Sequence, residues 1–564
     1  MNYIYQTELI LCEKYRLSTQ LINKLINEYK LTFAEDVFKD YFKVKTTPSN
    51  IKLRLLLHTF GSELFHNSKD LKDKIISKWE VKVIEASYSK YKPKEPTNKL
   101  TTKIRKLVNR KWTFDWAKEF ILNSGLPIEL AGIERKKIKL ANYEDISPYI
   151  KLPELVDYQI KLKKDLSAVI REKGDDAKCI ITLPTGAGKT RIAVDAYLDY
   201  LRPRFSEGKY LIWIAQSEEL CEQAIKSFQD VWKSKEFTEN LRIFRFYGDY
   251  KPDIEDLEIG GVVVCGIQKL HNSYDNEAFK HIVENCGTCI IDEAHRAVTM
   301  MYEKFYDYAE SVRGEKIFPI CGLTATPGRN DNPNKLPTRF KYNIFKPTIP
   351  DIYANNPIHY FRDNGFLARP FHDTIPTGSK YDFNIKDIDD KISDYDLREV
   401  LDYEIRNTGC KKLAEDNQRN RKILEKLLEI HDKSTIVYAC SVNHAYNLNA
   451  MLTAFNIKSV VISGKTPRYE RLKNIDKFKK GEINFIINHS VLTTGFDAPK
   501  TDNIVICRPI FSDILYEQIV GRGLRGPRFG GTEYCNIIDF TDNFDRFGDQ
   551  QSYTRFEDFW DKTR

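Results

Sequence analysis

Two patterns of hydrophobic and polar positions divide the chain near residue 158. Before that point, apolar residues recur three and four positions apart, which is typical of amphipathic helices. Ser18 stands where a helix N-cap is expected, directly before one such stripe. The members of this stripe are Leu21, Ile22, Leu25, Ile26 and Tyr29. Residues 1–150 are therefore predicted to form a small, mainly helical N-terminal module that contains a basic segment and a helix over 112–121.

Beyond Tyr158, short β-branched runs alternate with helical stretches. This alternation indicates βα repeats and a parallel sheet. The first five runs are Cys179–Leu183, Tyr210–Ala215, Val262–Cys265, Cys289–Ile291 and Pro319–Leu323, and the second five are Thr435–Ala439, Ser459–Ile462, Asn484–Ile487, Asn503–Cys507 and Tyr534–Ile538. The fold class predicted is α/β, with lobe 1 over 151–345, a connector and the start of lobe 2 over 346–430, and the rest of lobe 2 over 431–564.

Composition narrows the class of protein. The 564 residues are 41% hydrophobic and 30% charged, which supports several cores and excludes a disordered or fibrous chain. We find no secretory signal and no apolar run of the roughly 20 residues that span a bilayer. A cytoplasmic protein without membrane contact is expected. Eleven cysteines, an odd number spread over apolar runs, indicate buried reduced thiols. Cys286 and Cys289 form a lone CxxC pair, so no zinc site is expected.

Positive charge is concentrated in one segment of the N-terminal module. The net charge of the whole chain is +8, and residues 86–111 alone hold nine Lys or Arg and one acid, Glu95. Tyr88, Tyr91 and Trp112 interleave with or flank these cations, a pattern that is typical of surfaces that follow a nucleic-acid backbone. A solvated linker between domains is the alternative interpretation.

A phosphate-binding loop is the strongest chemical signal. The run Cys179–Leu183 leads into Pro184-Thr-Gly-Ala-Gly-Lys-Thr190 and then an apolar helix, the context in which such a loop binds nucleotide. Thr185, Gly186, Ala187 and Gly188 would present backbone N–H groups to the phosphates. Lys189 would reach the β- and γ-phosphates, and the Thr190 hydroxyl would coordinate Mg²⁺. Leu183 replaces the first Gly of the common pattern, so the loop is a variant of it.

A pair of adjacent acids follows a later run. Cys289-Ile-Ile291 leads into Asp292-Glu-Ala-His295. Asp292 at the end of a strand suits Mg²⁺, and Glu293 suits polarisation of an attacking water molecule. We expect His295 to pass the state of the nucleotide to neighbouring loops.

Together these residues resemble superfamily 2 helicases and translocases with a DEAH box, and the resemblance continues in order over about 160 to 540. Three later segments carry it: Leu323-Thr-Ala-Thr-Pro327, Val491-Leu-Thr-Thr-Gly-Phe-Asp-Ala-Pro499 and Gln518-Ile-Val-Gly-Arg-Gly-Leu-Arg525. The resemblance implies two tandem RecA-like lobes that bind ATP with Mg²⁺. The chain also resembles, at Tyr360–Pro370 and Ser463–Arg471, the branch of Ssl2-type helicases and restriction-enzyme helicase subunits.

The resemblance also implies roles for single residues. Arg522 and Arg525 would face the γ-phosphate, Gly495 and Asp497 would lie near the nucleotide, and Gln159 would recognise adenine. Thr324, Thr326 and Gln518 would couple hydrolysis to strand handling. Thr494 would contact the nucleic-acid backbone, as would Ser217, Gln268 and Ser441 on weaker grounds, since strand ends with a purely structural role explain these three equally well.

The function predicted is that of an ATP-dependent DNA helicase or translocase. Two alternatives stay open: an RNA helicase, and a nucleic-acid-sensing ATPase switch within a phage-defence or restriction assembly. DNA is the expected partner, RNA the alternative. The N-terminal module, which matches no pattern known to us, is a candidate docking site for a protein partner.

Overall fold

The computed structural model describes most of the chain. The residues outside the description are 1–2, 32–33, 35, 37–38, 40–46, 92–95, 132–142, 147–151, 172–176, 236, 315–318, 329–333, 355, 378–409, 465, 467, 490–499, 509, 511–512 and 541–564. The described part divides into two compact units. Unit 1 holds the described residues of 1–139, 376–381 and 406–489, and unit 2 holds those of 140–375 and 500–540.

Helices make up the N-terminal part of unit 1, as the sequence predicts. They are α1 (Tyr3–Leu9), α2 (Thr19–Glu28), α3 (Ser49–Phe60), α4 (Ser62–Asn67), α5 (Lys69–Ile76), α6 (Val81–Tyr91), α7 (Leu100–Val108) and α8 (Phe114–Ser124). The Ser18 side chain caps α2 by accepting a hydrogen bond from the Leu21 amide at 3.2 Å. Phe65, Trp79, Trp116 and Phe120 pack as an aromatic core, and this core holds the module together.

The described part of the basic segment is mainly helical. Residues 86–91 lie in α6 and residues 100–108 lie in α7, and the three aromatic residues that accompany the segment contact other side chains or backbone of the module. Tyr88 is buried, and its hydroxyl accepts a hydrogen bond from the Thr97 amide at 3.1 Å. Trp112 stacks on His66 with ring centroids 5.9 Å apart.

The remainder of unit 1 is α/β. It contains α17 (Cys410–Glu415), α18 (Asn417–Glu429), β10 (Thr435–Tyr438), α19 (Val442–Ala454), β11 (Ser459–Ile462), α20 (Arg468–Lys479) and β12 (Phe485–Asn488). The strands pair in parallel in the order β11-β12-β10. Helix α3 packs on α19, where the Phe60 and Tyr446 rings lie 5.2 Å apart. The helical module is thus packed directly against the second α/β series.

Unit 2 contains the first α/β series. Its elements up to residue 292 are β1 (Tyr143–Ile146), α9 (Asp157–Val169), β2 (Lys178–Thr182), α10 (Lys189–Phe205), β3 (Tyr210–Ala215), α11 (Glu218–Lys233), β4 (Leu241–Phe246), β5 (Gly261–Gly266), α12 (Ile267–His271), α13 (Glu277–Glu284) and β6 (Cys286–Asp292). The later elements are α14 (Met300–Arg313), β7 (Ile320–Thr324), α15 (Lys335–Arg339), β8 (Ile344–Phe345), α16 (Pro357–Asp363), β9 (Arg369–Ile375), β13 (Asn503–Ile506), α21 (Asp513–Val520) and β14 (Tyr534–Phe540).

An eight-stranded sheet, ordered β1-β4-β5-β3-β6-β7-β2-β8, is the scaffold of this series. Its strands are parallel except for β1, which pairs antiparallel with β4. Apolar cores cover both faces, so the central strands read as continuous hydrophobic runs. In the same unit, β13, β14 and β9 form a further parallel ladder.

The predicted fold class, two parallel-sheet α/β lobes preceded by a helical region, is confirmed. All ten predicted runs become strands. Sequence reasoning missed β4, because two arginines interrupt its apolar positions, and β9, because most of its side chains are exposed. The predicted domain boundaries at 150, 345 and 430 stay a prediction.

The state of the cysteines agrees with the expectation from composition. All eleven thiols are unbonded; ten are buried, and Cys12 is half-buried. Among the described residues, no helix is long and apolar enough to cross a membrane.

A buried histidine makes the second α/β series sensitive to acid. The Nδ1 atom of His444 accepts a hydrogen bond from the Cys440 amide at 3.1 Å, which requires a neutral ring. Burial, together with the positive charges of Arg419 and His489, lowers the pKa of His444 to about 3. The unfolded chain takes up this proton near the ordinary value of 6.5, whereas the folded chain does not.

We therefore predict that unit 1 loses stability as the pH falls from 6.5 towards 3, at about 1.4 kcal/mol per pH unit from this residue. His444→Asn keeps an acceptor for the Cys440 amide but cannot titrate. Urea unfolding of both proteins at pH 7.5, 6 and 5 measures the effect. The variant should show a shallower decline, and parallel declines would contradict the assignment.

Candidate nucleotide-binding site

The phosphate-binding loop lies between β2 and α10, at the carboxyl end of a central strand. Gly186 and Gly188 take φ values of 88° and 91°, which residues with a Cβ rarely adopt. Ala187 is buried, whereas Thr185 and Thr190 are half-buried. Thr190 stands in the first turn of α10, so the backbone N–H groups of the loop and the positive end of the helix point to the same place.

Two residues of α9 bind the outer side of this loop. The Tyr158 hydroxyl donates to the Ala187 carbonyl at 2.7 Å, and Gln159 Nε2 donates to the same oxygen at 3.3 Å. Gln159 Oε1 accepts from the Val156 amide at 3.1 Å. The predicted adenine-reading amide is therefore directed to the loop backbone in this structure, and adenine recognition stays a prediction. Sequence reasoning missed Tyr158 as a contact to the loop.

An ion cluster ties α9 to α10. Lys163 Nζ lies 2.5 Å from Asp195 Oδ1 and 2.6 Å from Asp199 Oδ2. Lys235, at the end of α11, lies 2.8 Å and 3.0 Å from the same two carboxylates. Burial opposes ionisation of Asp195, but the hydrogen bonds and charges of the two lysines outweigh it and lower the pKa of that carboxyl. The cluster fixes the helix that carries Gln159 against the helix that begins at Lys189.

Lys189 is held within the loop itself. Its Nζ donates to the carbonyls of Leu183 at 2.9 Å and Pro184 at 3.3 Å. Burial lowers the pKa of Lys189, the charges of Glu293 and Asp292 oppose that shift, and the Arg522 charge reinforces it. The negative charge of a bound polyphosphate would therefore stabilise the charged form of this buried ammonium group.

Asp292 and Glu293 end β6 with contrasting electrostatics. Burial, and then the neighbouring Glu293 charge, raise the pKa of Asp292. Burial also opposes ionisation of Glu293, but the hydrogen bond from His295 and the charges of His295, Lys189 and Arg522 outweigh it and lower the pKa of Glu293. Glu293 itself takes φ 50° and ψ 52°, a conformation that costs energy for a residue with a Cβ. Glu293 is thus kept anionic, whereas the charged form of the neighbouring Asp292 would need a cation to stabilise it.

Three of the four predicted coupling residues, His295, Thr324 and Thr326, form a continuous set of contacts. His295 Nδ1 lies 3.4 Å from Glu293 Oε2 and 3.4 Å from Thr324 Oγ1. Thr324 Oγ1 accepts from the Thr326 amide at 3.0 Å and donates to the Thr326 carbonyl at 3.0 Å. Gln518 is buried in α21. The structure brings His295, Thr324 and Thr326 together beside the acid pair.

The segment with Arg522 and Arg525 lies directly on the phosphate-binding loop. A Cβ placed on Gly521 would lie 2.7 Å from Thr185 Cγ2, and one placed on Gly186 would lie 3.8 Å from the Arg525 Cα. The approach at Gly521 is too close for a Cβ, whereas the contact at Gly186 is an ordinary van der Waals distance. The Arg522 charge acts on Lys189, Asp292 and Glu293. All these residues belong to unit 2.

A short strap, residues 365–368, holds the segment with Arg522 and Arg525 in place, a role that sequence reasoning did not assign to it. Ala368 N donates to the Leu524 carbonyl at 2.9 Å, and Gly526 N donates to the Phe366 carbonyl at 3.1 Å. Leu367 forms a bridge with Arg525, and its Cδ2 atom lies 3.4 Å from a Cβ placed on Gly186. The Phe366 ring packs on Tyr158 at 5.2 Å. Residues 365–368 thus join the loop, α9 and the arginine segment.

The predicted nucleic-acid residues stand at the ends of strands. Ser217 caps α11 after β3 by accepting from the Leu220 amide, and Ser441 caps α19 after β10 by accepting from the His444 amide. Gln268 is exposed on α12 after β5. The caps give the two serines a structural role, and contact with nucleic acid stays a prediction for all three. Thr494, Gly495 and Asp497 lie outside the described residues.

The donor set fits Mg²⁺. The Thr190 hydroxyl and the Asp292 carboxylate are the hard oxygen donors that this ion prefers, and it is commonly bound by one or two protein groups together with phosphates. The raised pKa of Asp292 indicates a carboxylate whose charge a cation would stabilise. Among the described residues, no three His, Cys, Asp or Glu side chains are grouped as a protein-only metal cage.

Comparisons with known proteins agree with this geometry. Residues 152–329 match the family model "Type III restriction enzyme, res subunit", and residues 419–526 match "Helicase conserved C-terminal domain". The match with the Saccharomyces cerevisiae protein named as the ATP-dependent helicase IRC3 is 26% identical and covers 69% of this chain and 51% of that protein. The match with the Escherichia coli type I restriction enzyme EcoAI endonuclease subunit is 24% identical and covers 49% of this chain and 34% of that subunit.

One solved structure is an HsdR-type fragment of a type I restriction enzyme from Vibrio vulnificus. It is 19% identical, covers 74% of this chain and 67% of that one, and superposes with a TM-score of 0.45. The chain spans about half the length of IRC3 and a third of the EcoAI subunit, so these relatives are longer proteins.

The two family matches place a region similar to the res subunit of type III restriction enzymes and a helicase C-terminal domain in one chain. The resemblance to superfamily 2 helicases of the restriction-subunit branch, seen in the sequence, is confirmed. Similarity to this family of ATPases implies that the nucleotide is ATP.

The close packing at Gly521 yields a prediction. A methyl group there would meet Thr185 Cγ2 at 2.7 Å and the Glu517 carbonyl at 2.9 Å, so Gly521→Ala should displace the arginine segment from the loop. Misplacement by about 1 Å can cost on the order of 10²-fold in rate. Steady-state ATPase measures the loss. Gly464→Ala is the matched control, because nothing lies within 4 Å of its Cβ. Equal rates for both variants would contradict the described packing.

Proposed function

We propose that the chain is an ATP-dependent helicase or translocase that acts on DNA. The observation that carries this proposal is the convergence of Lys189, Asp292, Glu293 and the Arg522 segment at one phosphate-binding loop. This set of groups suits phosphoryl transfer, in which catalysis consists mainly of positioning and charge stabilisation. The residue roles that follow belong to the proposal.

The side chains have distinct tasks in ATP hydrolysis. Lys189 leaves the carbonyls of Leu183 and Pro184 and binds the β- and γ-phosphates. Glu293, which stays anionic, accepts a hydrogen bond from the attacking water and orients it in line with the γ-phosphate. Arg522 and Arg525 stabilise the charge that spreads over the transferred phosphoryl group. Thr190 and Asp292 would hold Mg²⁺, which supplies further charge neutralisation when it is bound.

Hydrolysis is coupled to strand handling through His295. Its ring contacts both Glu293 and Thr324, so a change at the γ-phosphate reaches the Thr324–Thr326 turn by direct contact. Ser217, Gln268, Ser441 and Thr494 are the proposed backbone contacts. Alternation of tight and loose binding at such contacts moves a helicase along a strand.

DNA is favoured over RNA by the similarity to restriction-enzyme subunits. The sequence resemblance to that branch includes Tyr360–Pro370, and residues 366 and 368 of this stretch are hydrogen-bonded to the arginine segment. The phosphate site itself does not distinguish the two polymers, because both carry the same backbone phosphates. Discrimination rests on duplex geometry or on the 2′-hydroxyl. A protein partner at the N-terminal module is part of this proposal, since restriction-enzyme subunits are among the relatives.

We predict that Glu293→Gln retains ATP binding but loses most turnover, because the amide keeps the shape and removes the anion that polarises water. Lys189→Ala should instead lose nucleotide affinity, since the charge that reaches the phosphates is removed. Filter binding of ATP together with steady-state hydrolysis separates the two effects. Turnover at the wild-type rate in either variant would refute its assigned role.

The substrate is tested by ATPase stimulation with matched DNA and RNA duplexes and single strands at one salt concentration. We expect DNA to stimulate more than RNA, with duplex DNA at least as effective as single strands. A tailed-duplex unwinding assay and displacement of a triplex-forming strand then distinguish a helicase from a translocase, and activity in neither favours an ATPase switch. RNA stimulation severalfold above every form of DNA would overturn the choice of DNA.

A further inference from the structure

Helix α7 carries a dense positive charge that the proposed ATPase site does not use. Between residues 97 and 111 the sequence has six Lys or Arg and no acid. The helix is amphipathic: Leu107 and Val108 are buried against the module, and α5 and α6 are its packing partners. Lys103, Arg105 and Lys106 lie in this helix, and Lys99, Arg110 and Lys111 flank its two ends.

Two of the cations face inward and have partners there. The Lys103 side chain is 13% exposed, and its Nζ lies 3.1 Å from Glu85 Oε1 and 5.7 Å from the centre of the Tyr88 ring. Arg110 is 17% exposed and lies over the rings of Tyr91 and Trp116. These side chains stabilise the module, through ion pairing and cation–π contacts.

Three other cations face outward. Lys99, Arg105 and Lys111 are exposed, and none of them takes part in an ion pair between described residues. Lys99 and Arg105 are separated by about 9 Å of helix rise, so they would meet different phosphates of a nucleic-acid backbone. Exposed cations without a neighbouring acid retain their full charge for a polyanion.

The aromatic residues of this segment are buried or half-buried and are in contact with other side chains of the module. Tyr88 is buried, Tyr91 lies under the Arg110 guanidinium, and Trp112 is packed between His66 and Phe120. Single-strand binders typically combine cations with exposed ring faces on which bases stack. The outer side of α7 offers charge alone, which suits phosphates and not bases.

We propose that Lys99, Arg105 and Lys111 form an accessory site for the phosphate backbone of nucleic acid, independent of sequence and equally suited to duplex and single strand. The proposal rests on the proposed function in that the polymer is the one on which the helicase acts. The site belongs to the same unit as Ser441, the proposed backbone contact that caps α19. It would therefore add phosphate contacts to those of the second lobe.

The test compares wild-type protein and three variants in binding to a blunt 25-base-pair DNA duplex and to one of its single strands over a range of salt. The first variant combines Lys99→Gln, Arg105→Gln and Lys111→Gln. The second, matched in charge, combines Lys226→Gln, Lys433→Gln and Lys480→Gln, exposed lysines that each lie beside an acid. The third, Lys99→Arg with Arg105→Lys and Lys111→Arg, keeps the charge. Thermal unfolding and basal ATPase without nucleic acid check the fold.

The slope of log affinity against log salt falls by about 0.9 for every duplex phosphate that the protein no longer neutralises. The first variant should therefore show a slope lower by roughly two to three, with weaker binding to both polymers and unchanged basal ATPase. The matched and charge-keeping variants should bind as wild type does.

Three results would overturn the proposal. One is an unchanged slope of log affinity against log salt in the first variant, which would show that these cations do not neutralise phosphates and would favour a protein partner on this side of α7. Another is an equal loss of affinity in the charge-matched variant, which would indicate net charge alone. A loss of affinity confined to single strands would indicate base stacking. Failure of the proposed function is separate, because wild-type protein would then show no ATPase stimulation by any nucleic acid.

Discussion

Close packing around the phosphate-binding loop is the constraint on which the rest of the site depends. The loop is covered by α9 on one side and by residues 365–368 and the arginine segment on another, and a Cβ on Gly521 would lie only 2.7 Å from Thr185 Cγ2. Neither covering segment is adjacent to the loop in sequence. The loop is therefore held in shape by long-range contacts and is preorganised for phosphate, which reduces the cost of ordering on binding.

The described residues of the candidate nucleotide-binding site are concentrated in one of the two units. The described groups that we propose to act on the nucleotide, together with the contacts of His295 and Thr324 that we propose to couple hydrolysis to strand handling, belong to unit 2. Unit 1 combines three of the five strands of the second series with the helical module, joined where α3 packs on α19. In consequence, the N-terminal helices are attached to the second series through α3. A change in these helices should affect the stability of that series before it affects the nucleotide.

Sequence reasoning predicted the site where its signals are local and failed where contacts are distant. The loop residues 185–190 and the pair Asp292 and Glu293 follow strand runs directly, so a short window contains the evidence. Tyr158 and Leu367 reach the loop from 29 and about 180 residues away, and no spacing rule indicates such contacts. For the basic segment, the charge density was compatible with a solvated linker or with a surface that follows a nucleic-acid backbone. The packing of Tyr88 and Trp112 in the module, which a local pattern does not reveal, shows that the described part of the segment is folded.

The burial of ten thiols has a practical consequence for spectroscopy. Cys12 is the half-buried exception, and burial, with the charges of Glu8 and Glu13, raises the pKa of its thiol. Maleimide reagents attack the thiolate, so labelling at a mildly alkaline pH should modify Cys12 ahead of the other ten. The native chain thus offers one preferred position for a fluorophore, located in the π-helical turn Ile10–Lys14 between α1 and α2, with which motion of the N-terminal module during ATP turnover can be followed without removing a cysteine.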